Sequence, residues 1–436
     1  MAGVTIYKGS FGTAEAERLL WRAGFGPRRG EARQLAAKGL RAAVHSLTRP
    51  GPEQLVGAEP KDDKGFPIAP YDAFGHDHLW WLDRMVRSSS QLVERMTLVW
   101  HDWFATAAVG VGSQRRMLDQ NALLRRHALG SFDELLLDVT KDPAMLLWLS
   151  GIKNTRFSPN ENYGRELMEL FTLGAGRGYT EGDVREQARA LTGWRASRRP
   201  GVGPYDFRFE PRLHDAGVKV VFGRSGTFDW QDACKLCLGH KSHPSFFVRK
   251  LWSYFVPTGP GAATQRALEG IYGERHEVRP VVEAILQHPD LYRGPRMVKP
   301  PVVYAAGLLR ALGQGVSTTR WARLGVLSGQ RLFHPPNVAG WDDSRWLDTA
   351  TFRGRWFLAG LALTPLDRDG SSASGPANGG KLLERAIAFH GRPVVSRETR
   401  AVLVRFADRA LRDNRPAEVE NALRQLLAVS PDLQTC

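Results

Sequence analysis

The chain has 436 residues, a formal net charge of +15 and a sequence pI near 10.0. That length exceeds one ordinary core, so two or three packed subregions are expected, and 42% hydrophobic with 24% charged residues excludes a disordered chain. Three cysteines (Cys234, Cys237, Cys436) exclude a disulfide framework, and no apolar run reaches the ~18 residues of a membrane span. Met1 to Phe11 lacks a basic segment followed by an apolar core, so a soluble, cytoplasmic protein is expected.

The pattern along the chain is mainly α-helical, a multi-helix bundle-like core with one small irregular or β-hairpin lobe. N-terminal helices occupy 1–50, with Ala16, Leu19, Leu20 and Ala23 at helical spacing, Gly24 as a stop, and a second segment over 29–47. A Pro/Gly-rich connector fills 51–73. The central helical core, 74–194, carries Leu92, Val93, Met96, Val99, Trp100, Trp103 and Phe104 on the 90–108 segment. Helix starts are marked by Ser131 with Glu134, Asp142-Pro143, Asn160, and Thr180 with Asp183. The lobe at 195–226 has β-like runs at Tyr205 to Phe209 and Val218 to Phe222. Helical pattern returns over 227–369, a Ser/Gly/Pro/Asn stretch at 370–380 reads as a linker, and 381–436 closes the chain with two or three more helices.

The basic excess raises nucleic acid or anionic surfaces as partners. It is scattered, however, through short clusters such as Arg28-Arg29, Arg115-Arg116 and Arg195 to Arg199, with no recognition-helix, zinc-finger or RNA-binding signature beside them. Nucleic-acid or anionic-surface binding is therefore a lesser alternative.

Residues 158–174, SPNENYGRELMELFTLG, crowd amides and carboxylates onto one short amphipathic helix. Together with Tyr179 to Val184, Ala190 to Trp194, Leu19 to Gly26, Trp100 to Thr106, Arg249 to Trp252 and Pro335 to Trp341, they resemble an uncharacterised bacterial family catalogued as domain of unknown function 1800. The resemblance covers roughly residues 10–365. It implies a mainly helical fold, no assigned reaction, and pairing with a secreted sulfatase-like partner protein, which would place the chain in an exported complex. Members often carry histidine at the positions of Phe171 and Trp103, so chemistry that rests on those histidines is missing here.

The candidate site residues follow from the helical wheel. Tyr163, Leu167, Leu170 and Phe171 share an apolar face, and Asn162, Glu166 and Glu169 lie on its flank beside Glu161 and Arg165. Glu161–Arg165–Glu169 also reads as an i,i+4 ladder, and Asn160 as an N-cap. Glu166, at the core-facing edge, is the carboxylate best placed for a raised pKa and acid–base work. His101 is a general base or metal ligand that could meet Glu166 or Glu169 across a helix interface, or else a histidine bonded to a neighbouring carboxylate. Adjacent His101 and Asp102 point ~100° apart, so both cannot face one centre. His127, late in its helix, suits the dipole, while His214-Asp215 is a loop pair. Cys234, Cys237, His240 and His243 follow at intervals of three, which spreads them around a helix; core packing accounts for them better than zinc.

Two functional readings result. One is a hydrolase-like or metal-assisted enzyme in which Glu166, Glu169 and His101, with Asn162, act on a substrate directly or through a divalent metal, and Arg165 or His214 steers an anionic substrate. The other is a non-catalytic binding or assembly protein whose polar flank orders a buried hydrogen-bond network.

Overall fold

Twenty-three α-helices, three short 3-10 helices, one π-helical turn and four short strands form the regular structure of the described residues. The structure, a computed structural model, describes residues 3–201, 203–364 and 378–436. Most of the expected 370–380 linker thus lies outside the described residues.

The local signals of the sequence build most of these helices. Helix Thr13–Ala23 buries Ala16, Leu19, Leu20 and Ala23, as its spacing predicts. The segment expected over 29–47 is two helices, Glu31–Ala37 and Leu40–Thr48, because Gly39 between them takes φ +75°. A left-handed residue breaks the i→i−4 ladder, and glycine adopts it without a Cβ clash. Asp142 caps helix Pro143–Trp148 by accepting from the Met145 amide, and Thr180 with Asp183 forms the expected capping box on Glu181–Ala190. Ser131 does not cap with its side chain: its backbone pairs with Glu277 instead, so tertiary pairing overrides the local signal.

The Asn160 segment is not one regular helix. Asn160 accepts from the Asn162 amide and opens α-helix Glu161–Glu166, which continues as the π-helical turn Leu167–Thr172. π-turns are rare and recur at functional sites, because the wider register frees carbonyls for other donors.

The largest apolar cluster joins residues from Val4 to Tyr292, so helices on both sides of the lobe share one core. At its centre Phe132 lies 4.9 Å from Phe247 and 5.7 Å from Trp103, and Trp100 lies 5.5 Å from Trp103. Such ring pairs contribute roughly 0.5–1.5 kcal/mol each beyond burial. A second cluster packs Trp81, Leu82 and Phe333 against helix Pro301–Leu312. A third holds the C-terminal helices Gly379–Phe389, Arg397–Ala410 and Pro416–Ala428 together.

The lobe contains two separate antiparallel hairpins. β1 (Trp194–Arg199) pairs with β2 (Gly203–Phe209), with a register shift between Arg195 and Ser197, and β3 (Lys219–Val221) pairs with β4 (Arg224–Gly226). Helix Glu181–Ala190 holds β3 down: Asp183 and Glu186 accept from the Phe222 and Val220 amides at 2.7 and 3.0 Å. Among the described residues no helix is long and apolar enough to cross a membrane.

Candidate functional site

The predicted site residues separate into three environments. On helix Glu161–Glu166, Arg165 bonds Glu161 at 3.2 Å, Glu169 at 3.3 Å and Glu181 at 2.7 Å, so the expected ladder is present and extended to the next helix. These side chains are partly exposed, and such pairs stabilise by roughly 0.2–1 kcal/mol. Asn162 is exposed and donates to the Leu149 carbonyl at 3.3 Å. Glu166 is half-buried, and burial first, then Glu169, raises its carboxyl above the usual range.

His101 stands elsewhere. Its ring, 1% exposed, packs 5.3 Å from Trp81, 5.5 Å from Phe333 and 5.5 Å from Trp341, and burial pushes its pKa down to about 3. Its Nε2 has no hydrogen-bond partner among the described residues. Neither a carboxylate bond nor a meeting with Glu166 accounts for it: the surroundings are aromatic. His214 faces Thr192, with Nδ1 3.0 Å from its carbonyl, while Asp215 is held by Arg189 at 2.7 Å. His127 bonds Asp138 at 2.7 Å.

The Cys-x-x-Cys-x-x-His-x-x-His run also disperses. Cys234 lies 3.3 Å from the Thr140 hydroxyl, Cys237 accepts from Gln187, His240 meets the Gly178 carbonyl, and His243 sits between the Thr172 carbonyl and the Tyr272 hydroxyl. Burial pushes the Cys234 thiol up to about 12. Among the described residues no three His, Cys, Asp or Glu side chains gather closely enough to share a metal ion. His101, Glu166 and Glu169 form no such group, nor do Cys234 and Cys237 with His240 and His243.

What the fold does bring together is a cavity of about 210 Å³ behind Trp341, one of the rings packed on His101. Helix Gln91–Trp103 lines it with Arg95, Leu98, Val99 and Asp102, the i, i+3, i+4, i+7 stripe of one face. Helix His243–Ser253 and its C-cap add Lys250, Ser253 and Tyr254. Met297 and Pro300 form another wall, and Gln330, Trp341, Asp343 and Trp346 close it from a loop.

Asp102 fastens that loop. Its Oδ1 accepts from the Trp341 amide at 2.8 Å and its Oδ2 from the Tyr254 hydroxyl at 2.7 Å. Gly340, at φ +95°, packs so tightly that a Cβ would collide with the Asp102 carboxylate. Burial raises the Asp102 carboxyl, and the two donated bonds oppose that shift.

Lys250 ties the cavity to the π-turn. Its ammonium donates to the Leu170 carbonyl at 2.9 Å and sits 4.5 Å from the Trp103 ring centroid. Trp103 donates to the next carbonyl, Phe171, at 3.1 Å, and His243 Nδ1 to the next, Thr172, at 2.9 Å. Three successive carbonyls at the end of the turn thus each have a side-chain donor. Burial pulls the Lys250 pKa down to about 8, against the nearby Asp102.

Arg95 is the exception in this bonded network. It is 4% exposed, its Nε is buried without a partner, and among the described residues it makes no hydrogen bond; Cys436 and Asp102 act on it only electrostatically. Its pKa falls to about 10, chiefly from burial. With both Asp102 oxygens engaged, the charged donors left over among the described lining residues are those of Arg95 and Lys250, beside the unpartnered indole N–H of Trp346.

A family model described as a protein of unknown function (DUF1800) matches residues 18–435. This chain belongs to the DUF1800 family. No curated protein and no solved structure matches it. The DUF1800 match runs through the C-terminal helices, past the 10–365 covered by the motifs. Within this DUF1800 fold the separate motif pieces converge on the cavity. Trp100 to Thr106 supplies Asp102, Arg249 to Trp252 supplies Lys250, Pro335 to Trp341 supplies the closing loop, and Asn160 to Gly174 supplies the Leu170 carbonyl.

Sequence reasoning named Asp102 only beside His101, and missed Arg95, Lys250, Tyr254 and Trp341 as site residues. One signal was available: Arg95 and Asp102 are charges seven residues apart on one helix face, with apolar Leu98 and Val99 between them on that face.

Proposed function

We propose that this DUF1800 protein binds a small organic anion, a carboxylate or phosphate ester, in the cavity between helices Gln91–Trp103 and His243–Ser253. The carrying observation is Arg95, a buried guanidinium with uncommitted donors. An unpaired buried charge costs several kcal/mol, and its planar fork matches a carboxylate or phosphate. Lys250 supplies a second donor, and Leu98, Val99, Met297, Trp341 and Trp346 suit an apolar body.

Calorimetric titration with benzoate and phenyl phosphate, against neutral benzamide, tests the reading. Binding of at least one anion, with benzamide inert, is expected; indifference to all three removes the proposal.

An acid–base enzyme is the second reading, because Lys250 near 8 can exchange a proton close to neutral pH, and Tyr254 donates a hydrogen bond to Asp102 beside it. For Glu166 the supporting feature is its raised carboxyl on the Asn160–Glu169 helix. Glu166→Gln is expected to leave benzoate affinity unchanged, and a tenfold loss would return the site to that helix.

A further inference from the structure

The segment Met297–Pro300 separates the anion cavity from a second one of about 320 Å³, walled by helices Thr13–Ala23 and Pro301–Leu312 and by residues 390–393. Beside Arg28, Arg33 and Arg392, two opposite charges face it without pairing with each other, Lys299 and Glu17. Lys299, 2% exposed, donates one hydrogen bond to the Leu433 carbonyl at 2.8 Å and lies 3.6 Å from the Trp21 ring centroid. Glu17 accepts from the Val394 amide at 3.0 Å. Among the described residues no salt bridge within 4 Å joins Glu17 to Lys299; Cys436 first and then Glu17 act electrostatically on Lys299, while Lys299 and a hydrogen bond from Trp21 act on Glu17. His390 adds a third polar group: its Nε2 donates to the Arg424 carbonyl at 2.9 Å, which leaves Nδ1 as a buried acceptor without a partner. Leu308, Ala311 and Pro393 complete an apolar wall, and Gly307 allows Trp21 to lie there, since a Cβ would strike its ring.

We infer that this cavity binds a free apolar amino acid as its zwitterion. The ligand carboxylate faces the remaining Lys299 donors, the ligand ammonium faces Glu17 and the His390 Nδ1, and the apolar side chain packs on Leu308, Ala311 and Pro393. Opposite charges held apart in a low-dielectric cavity are each under-compensated, and one small zwitterion supplies both counter-charges. A single-charge ligand satisfies one end and leaves the other bare. The volume is at the small end of ordinary ligand sites, which suits a molecule of amino-acid size.

Calorimetric titration of the full chain with L-leucine, L-methionine and L-phenylalanine, beside N-acetyl-leucine and leucinamide, tests this. At least one free amino acid is expected to bind with a Kd below about 1 mM, and both blocked forms at least tenfold more weakly. Glu17→Gln, which keeps the acceptor for the Val394 amide, is expected to weaken amino-acid binding tenfold or more without changing the ligand-free melting temperature. Arg95→Met, in the other cavity, should leave it intact, so failure here is distinguishable from failure of the anion site. The inference is overturned if no free amino acid binds, if N-acetyl-leucine binds as tightly as leucine, or if Glu17→Gln binds like the wild type.

Discussion

Arg95 is the residue on which the account turns, and its energetics run against its retention for stability. A buried cation without a partner destabilises the folded chain, and replacement by an apolar side chain of similar length removes that burden. Arg95→Met should therefore unfold at an equal or higher temperature than the wild type while losing anion binding; calorimetry of both proteins checks this, and a large destabilisation would mean that Arg95 is structural. Lys250 gives a second test. Its folded pKa of about 8 lies below the ~10.4 of an unfolded lysine, so the unfolded state holds more protons between these values. Stability should rise with pH across about 8 to 10.4, and Lys250→Met should flatten part of that rise, leaving the share of Lys299, also near 8. At Gly340, where φ is +95° and a Cβ meets Asp102, alanine should cost ~1–3 kcal/mol in chemical denaturation and weaken benzoate through the displaced loop.

Among the elements, the π-turn Leu167–Thr172 links core to cavity, and its wide register persists because Lys250, Trp103 and His243 satisfy its last carbonyls. Trp103→Phe keeps an aromatic ring and removes the indole donor to Phe171. The expected loss is ~1–3 kcal/mol by denaturant titration, as for an orphaned buried carbonyl, with further loss from the smaller ring. This element also marks where the sequence was legible. The Asn160 cap, the Thr180–Asp183 box and the Arg165 ladder are contacts within a few residues, so composition and spacing suffice to find them. What supports the i→i+5 register is not local: the side-chain donors to its last carbonyls lie at 103, 243 and 250, and nothing in LMELFT announces them. The Asp102–Tyr254 bond likewise joins residues 152 apart, and the cavity around it is invisible to a helical wheel.

For the whole molecule, the mainly helical class was legible because amphipathic period and caps recur along most of the chain, and the lobe because Gly, Pro and short β-branched runs interrupt that period. How the motif pieces assemble was not. Trp100-His101-Asp102 reads as one polar unit, yet the fold turns His101 into an aromatic cage and Asp102 into the cavity, since adjacent helical residues diverge by ~100°. The buried histidines have a collective consequence. His78 and His101 are held near 3, and His243 and His390 near 4, all chiefly by burial. Unfolded imidazoles titrate near 6.5, so the unfolded state takes up protons first as pH falls. Stability should decline steadily from about pH 6.5 toward 3, in a pH series of denaturation midpoints.

The anion site is tested most directly by melting wild-type and Arg95→Met proteins with and without saturating benzoate or phenyl phosphate. A ligand that binds only the folded state raises its melting temperature, by ~2.7 kcal/mol of stabilisation at a hundred times Kd. The prediction is an upward shift for the wild type with at least one anion and none for Arg95→Met, whose ligand-free temperature is not lowered. Equal shifts in the two proteins, or no shift in either, would contradict it.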